Sequence, residues 1–152
     1  QNYDFTRTTG SKPTDPIYFI VGLILVYLFV GKWNARWAVI AAKFLDITLL
    51  FIYGLGGLLL VYMSLFSLHT ACHNNYNIAW IHPLYWIALV FYFMKPIWAG
   101  YLGRIFFIAS IGLIVVSYLL PQSFSNSVYL LMGLSLVLNY RLIKRGIDAK
   151  FN

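Results

Sequence analysis

Five continuous apolar runs, each closed by a polar or charged stretch, organise this chain. The first, IYFIVGLILVYLFV from Ile17 to Val30, follows Asp15, a capping residue, and Pro16, which suits a first helical turn. The second runs from about Leu45 to Leu68. The third runs from Ile81 to Met94 and ends at Lys95-Pro96, with Pro83 placed in its first turn. The fourth runs from Ile105 to Leu120 and stops at Pro121, and the fifth covers Val128 to Ile143. A membrane β-barrel needs segments of about ten residues that alternate in polarity. These runs do not alternate, so they predict helices. The 14 residues of the first run are short for a hydrocarbon layer of about 30 Å. Extension through Gly31 brings the run to Trp33, an interfacial anchor. Residues 34–44, NARWAVIAAKF, are basic and amphipathic and are expected to lie in the interface.

Composition changes the picture from helical to membrane-embedded. The 152 residues are 61% hydrophobic, 19% aromatic and only 10% charged. A soluble domain usually carries about a quarter charged residues. The predicted fold class is all-α, a polytopic integral membrane bundle of about five transmembrane helices. Residues 1–16 form an extracytoplasmic polar tail, 17–143 the membrane domain and 144–152 a basic cytoplasmic tail. The expected location is a bacterial inner membrane, crossed several times. Residues 1–16 lack the basic start and apolar centre of a signal peptide. A chain that begins with Gln is expected to be processed, trimmed or part of a longer product.

The formal charge of +7 would suggest nucleic acid in a soluble protein. Here the Lys and Arg residues sit between or beyond the apolar runs, where they set topology, and no nucleic-acid partner is expected. The N-terminal tail has Arg7 and Lys12, balanced by Asp4 and Asp15. The first loop has Lys32, Arg36 and Lys43, and the third has Lys95 and Arg104. The C-terminal tail has Arg141, Lys144, Arg145 and Lys150, while the second and fourth loops have none. This alternation assigns residues 32–43, 95–104 and 141–152 to the cytoplasm. Residues 69–79 and 121–127 fall outside, as does the N-terminus.

The outer second loop contains HTACHNNYN, residues 69–77, with two of the three histidines and the only cysteine. In the plainest reading, Asn74, Asn75 and Asn77 satisfy free backbone groups at two helix ends. A metal reading takes His69, Cys72 and His73, with His82 as a further ligand for zinc or copper. The loop has no carboxylate and its spacing matches no established site, so no metal or cofactor is expected. A nucleophile reading takes Cys72 as a thiolate with His69 or His73 as its base. A single cysteine forms no internal disulfide. Asp46 opens the second run beside Lys43, and this pair is expected to cap a helix near the cytoplasmic interface. Gly54 and Gly57, with Gly56 between them, are expected to let helices approach closely.

Taken together, Asp46, YGLGGLLLVYMSLFSLH (53–69) and NNYNIAWIHPLYW (74–86) resemble the membrane region of the Lnb-type proteins of Bacteroidota. The shared signature falls on Phe66, His69, Asn75, Asn77, Pro83 and Leu84, and the similarity is strongest over residues 46–90. The resemblance implies a role in lipoprotein N-acylation. In that family a periplasmic, papain-like domain precedes the spans, and its catalytic residues have no counterpart here. Cys72 is not that nucleophile. The chain is then the membrane half of a larger or split protein, or a free-standing relative.

The leading reading is an inner-membrane module whose His69, Asn75, Asn77 and His82 shape a lipid- or partner-facing periplasmic site, not catalytic alone. Membrane lipid and other membrane or periplasmic subunits are its expected partners. The alternatives are a non-enzymatic subunit of an envelope complex and an autonomous Cys72-dependent acyltransferase.

Overall fold

The computed structural model describes residues 16–33, 35–66, 76–119 and 125–151. Among these residues it contains five α-helices: α1 (Pro16–Val30), α2 (Arg36–Phe66), α3 (Tyr85–Met94), α4 (Pro96–Val116) and α5 (Asn126–Phe151). Single 3-10 turns cover Tyr76–Ala79, ahead of α3, and Ser117–Leu119, at the end of α4.

The helix starts correct three expectations. The first is that α2 begins at Arg36 rather than near Leu45. The stretch expected to lie in the interface forms its first turns, because Ala38 and Ala42 are buried on the face that continues into Asp46. The second concerns α3, which begins at Tyr85 rather than Ile81. Proline disfavours the helical conformation in the residue before it, and Pro83 holds His82 out of the helix. The third is that residues 96–104 are not a loop. Pro96 occupies the first turn of α4, so Lys95 alone separates α4 from α3. At the far end α5 continues beyond Ile143 to Phe151.

Each helix buries one stripe at helical spacing. Asp46, Leu49, Leu50, Tyr53, Gly54 and Gly57 form that of α2, and Ala99, Gly103, Phe106, Ser110 and Leu113 that of α4. In α5 the stripe is Met132, Ser135, Leu138, Asn139, Leu142 and Gly146. Such three- and four-residue intervals put side chains on one face. Packing runs in a circuit: α1 touches α2, α2 touches α3, α3 touches α4, α4 touches α5 and α5 returns to α1. The α4–α5 seam is the most extensive. Its backbones meet where Gly100 and Gly146 face each other, and a Cβ on either would lie 2.9 Å from the other's Cα.

The exterior is apolar, unlike that of a soluble domain. Asp46, Ser110, Ser135 and Asn139 are buried, while Phe19, Phe44, Leu65 and Ile108 are 67–74% exposed. Both α2 and α4 are long and apolar enough to cross a membrane, and α1 and α3 are shorter apolar helices. An apolar exterior around a core that also holds hydrogen-bonded polar groups suits a hydrocarbon solvent.

Candidate functional site

Two polar regions stand out, one at each side of the glycine-rich middle of α2. The first is the irregular segment that leads into α3. Gly57 makes room for it: a Cβ there would lie 2.4 Å from the His82 carbonyl carbon and from the Pro83 nitrogen. Gly54 makes room for the Trp86 ring in the same way. The expected close approach at these glycines is therefore present, although its partner at Gly57 is non-helical backbone.

Within this segment the Trp80 indole N–H donates to Asn77 Oδ1 at 3.0 Å. The Asn77 carbonyl accepts the backbone N–H groups of Trp80 and Ile81 at 3.2 and 2.9 Å. Trp80 is buried and meets Tyr53 edge-on, with ring centroids 6.0 Å apart. Asn77 thus ties the turn to the core. His82 Nδ1 accepts the Leu84 backbone N–H at 3.2 Å, so the imidazole caps the approach to α3. Its ring stacks on Phe106 with centroids 5.9 Å apart and planes inclined by 23°. Of the residues singled out in the sequence, Asn77 and His82 are brought into this one segment. His69, Cys72, His73, Asn74 and Asn75 lie outside the described residues.

The second region is the polar centre between α1, α2, α3 and α5. Asp46 is buried and does not cap a helix, since α2 starts ten residues before it. Its partner is Arg141 of α5, not Lys43, whose side chain is exposed. Arg141 donates from Nε to Asp46 Oδ1 at 2.7 Å and from a terminal nitrogen to Oδ2 at 3.1 Å. Such a fork matches the two carboxylate oxygens and fixes their orientation. The Tyr92 hydroxyl donates to Oδ2 at 3.0 Å, and the Tyr27 hydroxyl donates to Oδ1. The Arg141 guanidinium also lies 5.0 Å from the Tyr27 ring centre. Gly31 leaves space for it, because a Cβ there would lie 2.6 Å from a terminal nitrogen. Four helices therefore converge on one carboxylate.

Further along the interior, Tyr85 and Asn139 form a reciprocal pair. The Asn139 amide donates to the Tyr85 oxygen at 3.0 Å, and the Tyr85 hydroxyl lies 3.2 Å from Asn139 Oδ1. Tyr53 donates to the Leu131 carbonyl at 3.1 Å. The sequence pattern gave no role to Tyr27, Tyr92, Tyr85 or Asn139, and gave Arg141 a part only in topology. One signal was present: Asp46 and Arg141 both fall inside apolar runs, where an ionisable group requires a partner.

A helical bundle with an apolar exterior, a hydrogen-bonded ion pair inside it and glycine-mediated helix contacts is an integral membrane domain. The chain belongs to the Lnb transmembrane domain family, whose model matches residues 7–145. No curated protein and no solved structure matches it.

Proposed function

We propose that this chain is the multi-pass inner-membrane module of an Lnb-type lipoprotein N-acylation protein of a Bacteroidota envelope. The family match over nearly all of the chain carries this reading. The basic residues supply its orientation, with the Asn77–His82 segment extracytoplasmic and the end of α5 cytoplasmic. The module holds a periplasmic thiol domain at the membrane and offers it acyl lipid. His82, with His69, Asn75 and Asn77 close in sequence, faces the lipid or that partner. The half-exposed imidazole on Phe106 and the glycine-seated segment below it support this placement.

The test is complementation. A strain lacking the gene is supplied with the parent or with a His69→Ala/His82→Ala variant, and the N-terminal acylation of a lipoprotein is read by mass spectrometry. The parent is expected to restore N-acylation, and the variant to reach the membrane yet restore it at a reduced rate. Unchanged lipoprotein acylation on deletion overturns the proposed function. Full restoration by the variant overturns the assignment of the site.

A further inference from the structure

Beside the Asp46–Arg141 pair lies a cavity of about 420 Å³, at the end of the bundle opposite the Asn77–His82 segment. This volume falls in the range of about 300–1,000 Å³ found for small-molecule sites. Four cations line it: Lys43 from α2, and Arg141, Lys144 and Arg145 from α5. Two carboxylates, Asp46 and Asp148, face the same space. Asp46 is committed to Arg141. The remaining balance is three cations against one exposed carboxylate.

Arg145 is the most telling member. Its guanidinium carbon sits 3.9 Å from the Tyr92 ring centre, and one terminal nitrogen donates to the Tyr92 carbonyl at 3.2 Å. Its Nε is buried and has no hydrogen-bond acceptor. A buried donor without an acceptor is costly, and more so beside uncompensated positive charge. An oxyanion in the cavity would neutralise the excess. Donors approach from two helices, with the Lys43 ammonium on α2 and the Lys144 and Arg145 side chains on α5. Tetrahedral phosphate oxygens suit donors arriving from several directions. Trp33, half-exposed, forms part of the wall and has the amphipathic character of a residue at the head-group level.

We propose that this cavity binds a negatively charged phosphate group, supplied by the head group of an anionic phospholipid. Basic pockets between transmembrane helices hold such head groups on the cytoplasmic side. This site is separate from the acylation role proposed above and does not depend on it.

The full chain in detergent micelles is titrated with phosphatidylglycerol, with phosphatidylcholine and with inorganic phosphate. The same titrations are made on Lys43→Gln/Lys144→Gln. Both lysines are exposed and outside the Asp46 cluster, so folding should be kept. The parent should bind phosphatidylglycerol more tightly than phosphatidylcholine, and less tightly as salt rises. The double variant should lose about tenfold or more. Failure of millimolar phosphate to displace the lipid identifies the lipid as the source. Displacement supports the phosphate site and assigns it to soluble phosphate as well. Equal binding of the two lipids, or equal binding by parent and variant, overturns the proposal. Should the variant not fold, loss of the parent's preference for phosphatidylglycerol at high salt supports the site, and a salt-independent preference overturns it.

Discussion

Arg141 and Asp46, 95 residues apart in the chain, form a two-pronged ion pair that joins the last helix to the second. The pair lies inside the helix circuit, and Tyr27 and Tyr92 add hydroxyl donors from α1 and α3. One carboxylate thereby sets the relative positions of four helices. This is a specific use of polarity in an interior where apolar contacts alone discriminate poorly between helix arrangements.

Removing one member leaves the other charge unpaired. Breaking a buried pair costs about 3–5 kcal/mol, and partial exposure of Arg141 places this one toward the lower end. Asp46→Asn and Arg141→Gln should each lower the melting temperature in detergent clearly. The double variant should melt above the value expected from adding the two losses, because it removes both charges. Strict additivity would show that the two side chains do not interact.

The glycines make a second, sharper comparison. A Cβ at Gly57 would collide with backbone at 2.4 Å, whereas one at Gly22 would meet nothing within 4 Å. Overpacking typically costs about 1–3 kcal/mol, while Ala is favoured over Gly in a helix by about 1 kcal/mol. Gly57→Ala should therefore lower the melting temperature, and Gly22→Ala should leave it unchanged or raise it. Equal melting of the two variants would contradict the seating of residues 82–83 on α2.

Tyr85 and Asn139 are both fully buried, and each satisfies the other. Tyr85→Phe keeps the ring and leaves the Asn139 amide without its partner, at a cost of about 1–3 kcal/mol. Adding Asn139→Leu should recover part of that loss, since no buried polar group is then stranded. Thermal melts of the single and double variants test this, and a further loss in the double variant would refute it.

The first apolar run was legible nearly to the residue, because Pro16 marks its start and no charge interrupts it. The start of α2 was not. Hydropathy registers the depth of a segment in the membrane, whereas a helix continues through Arg36 and Lys43 without regard to that boundary. Misplacing the start made Asp46 look terminal and gave it Lys43 as a neighbour. Its true partner is remote in sequence, and local periodicity carries no information about such a contact. Pro83 was legible as a helix-start signal, but α3 begins two residues later, after backbone that rests on Gly57. The Lnb resemblance, read from Asp46 and the GLGG and NNYN stretches, agrees with the family match. Of the polar loop, only Tyr76 and Asn77 lie among the described residues, with His82 beyond them.

Orientation is open to direct test. In a Cys72→Ser background, Lys32→Cys and Lys95→Cys should react with a membrane-impermeant thiol reagent only from the cytoplasmic side. Ser125→Cys should react only from the periplasmic side. All three side chains are exposed at the ends of helices. Cys72→Ser itself should leave lipoprotein acylation near normal, since the chain offers Cys72 no second thiol and residues 69–77 hold no carboxylate. Labelling of Lys32→Cys and Lys95→Cys from the periplasm alone would invert the topology.

Asn77 and His82 occupy the same segment, and their contacts predict different consequences of substitution. Asn77 Oδ1 is the acceptor for the indole N–H of the buried Trp80. Asn77→Ala strands that donor and should cost about 1–3 kcal/mol. Asn77→Asp keeps an acceptor oxygen and should melt closer to the parent. Because the loss is structural, acylation per folded molecule should stay near normal in both. His82 accepts one backbone N–H and stacks on Phe106, contacts worth less than a stranded indole. His82→Ala should therefore melt only slightly early and yet lower acylation per folded molecule, if the imidazole meets lipid or partner. Melting and acylation are to be measured on the same preparations. An early melt of His82→Ala with full activity per folded molecule would make this histidine a helix cap and nothing more.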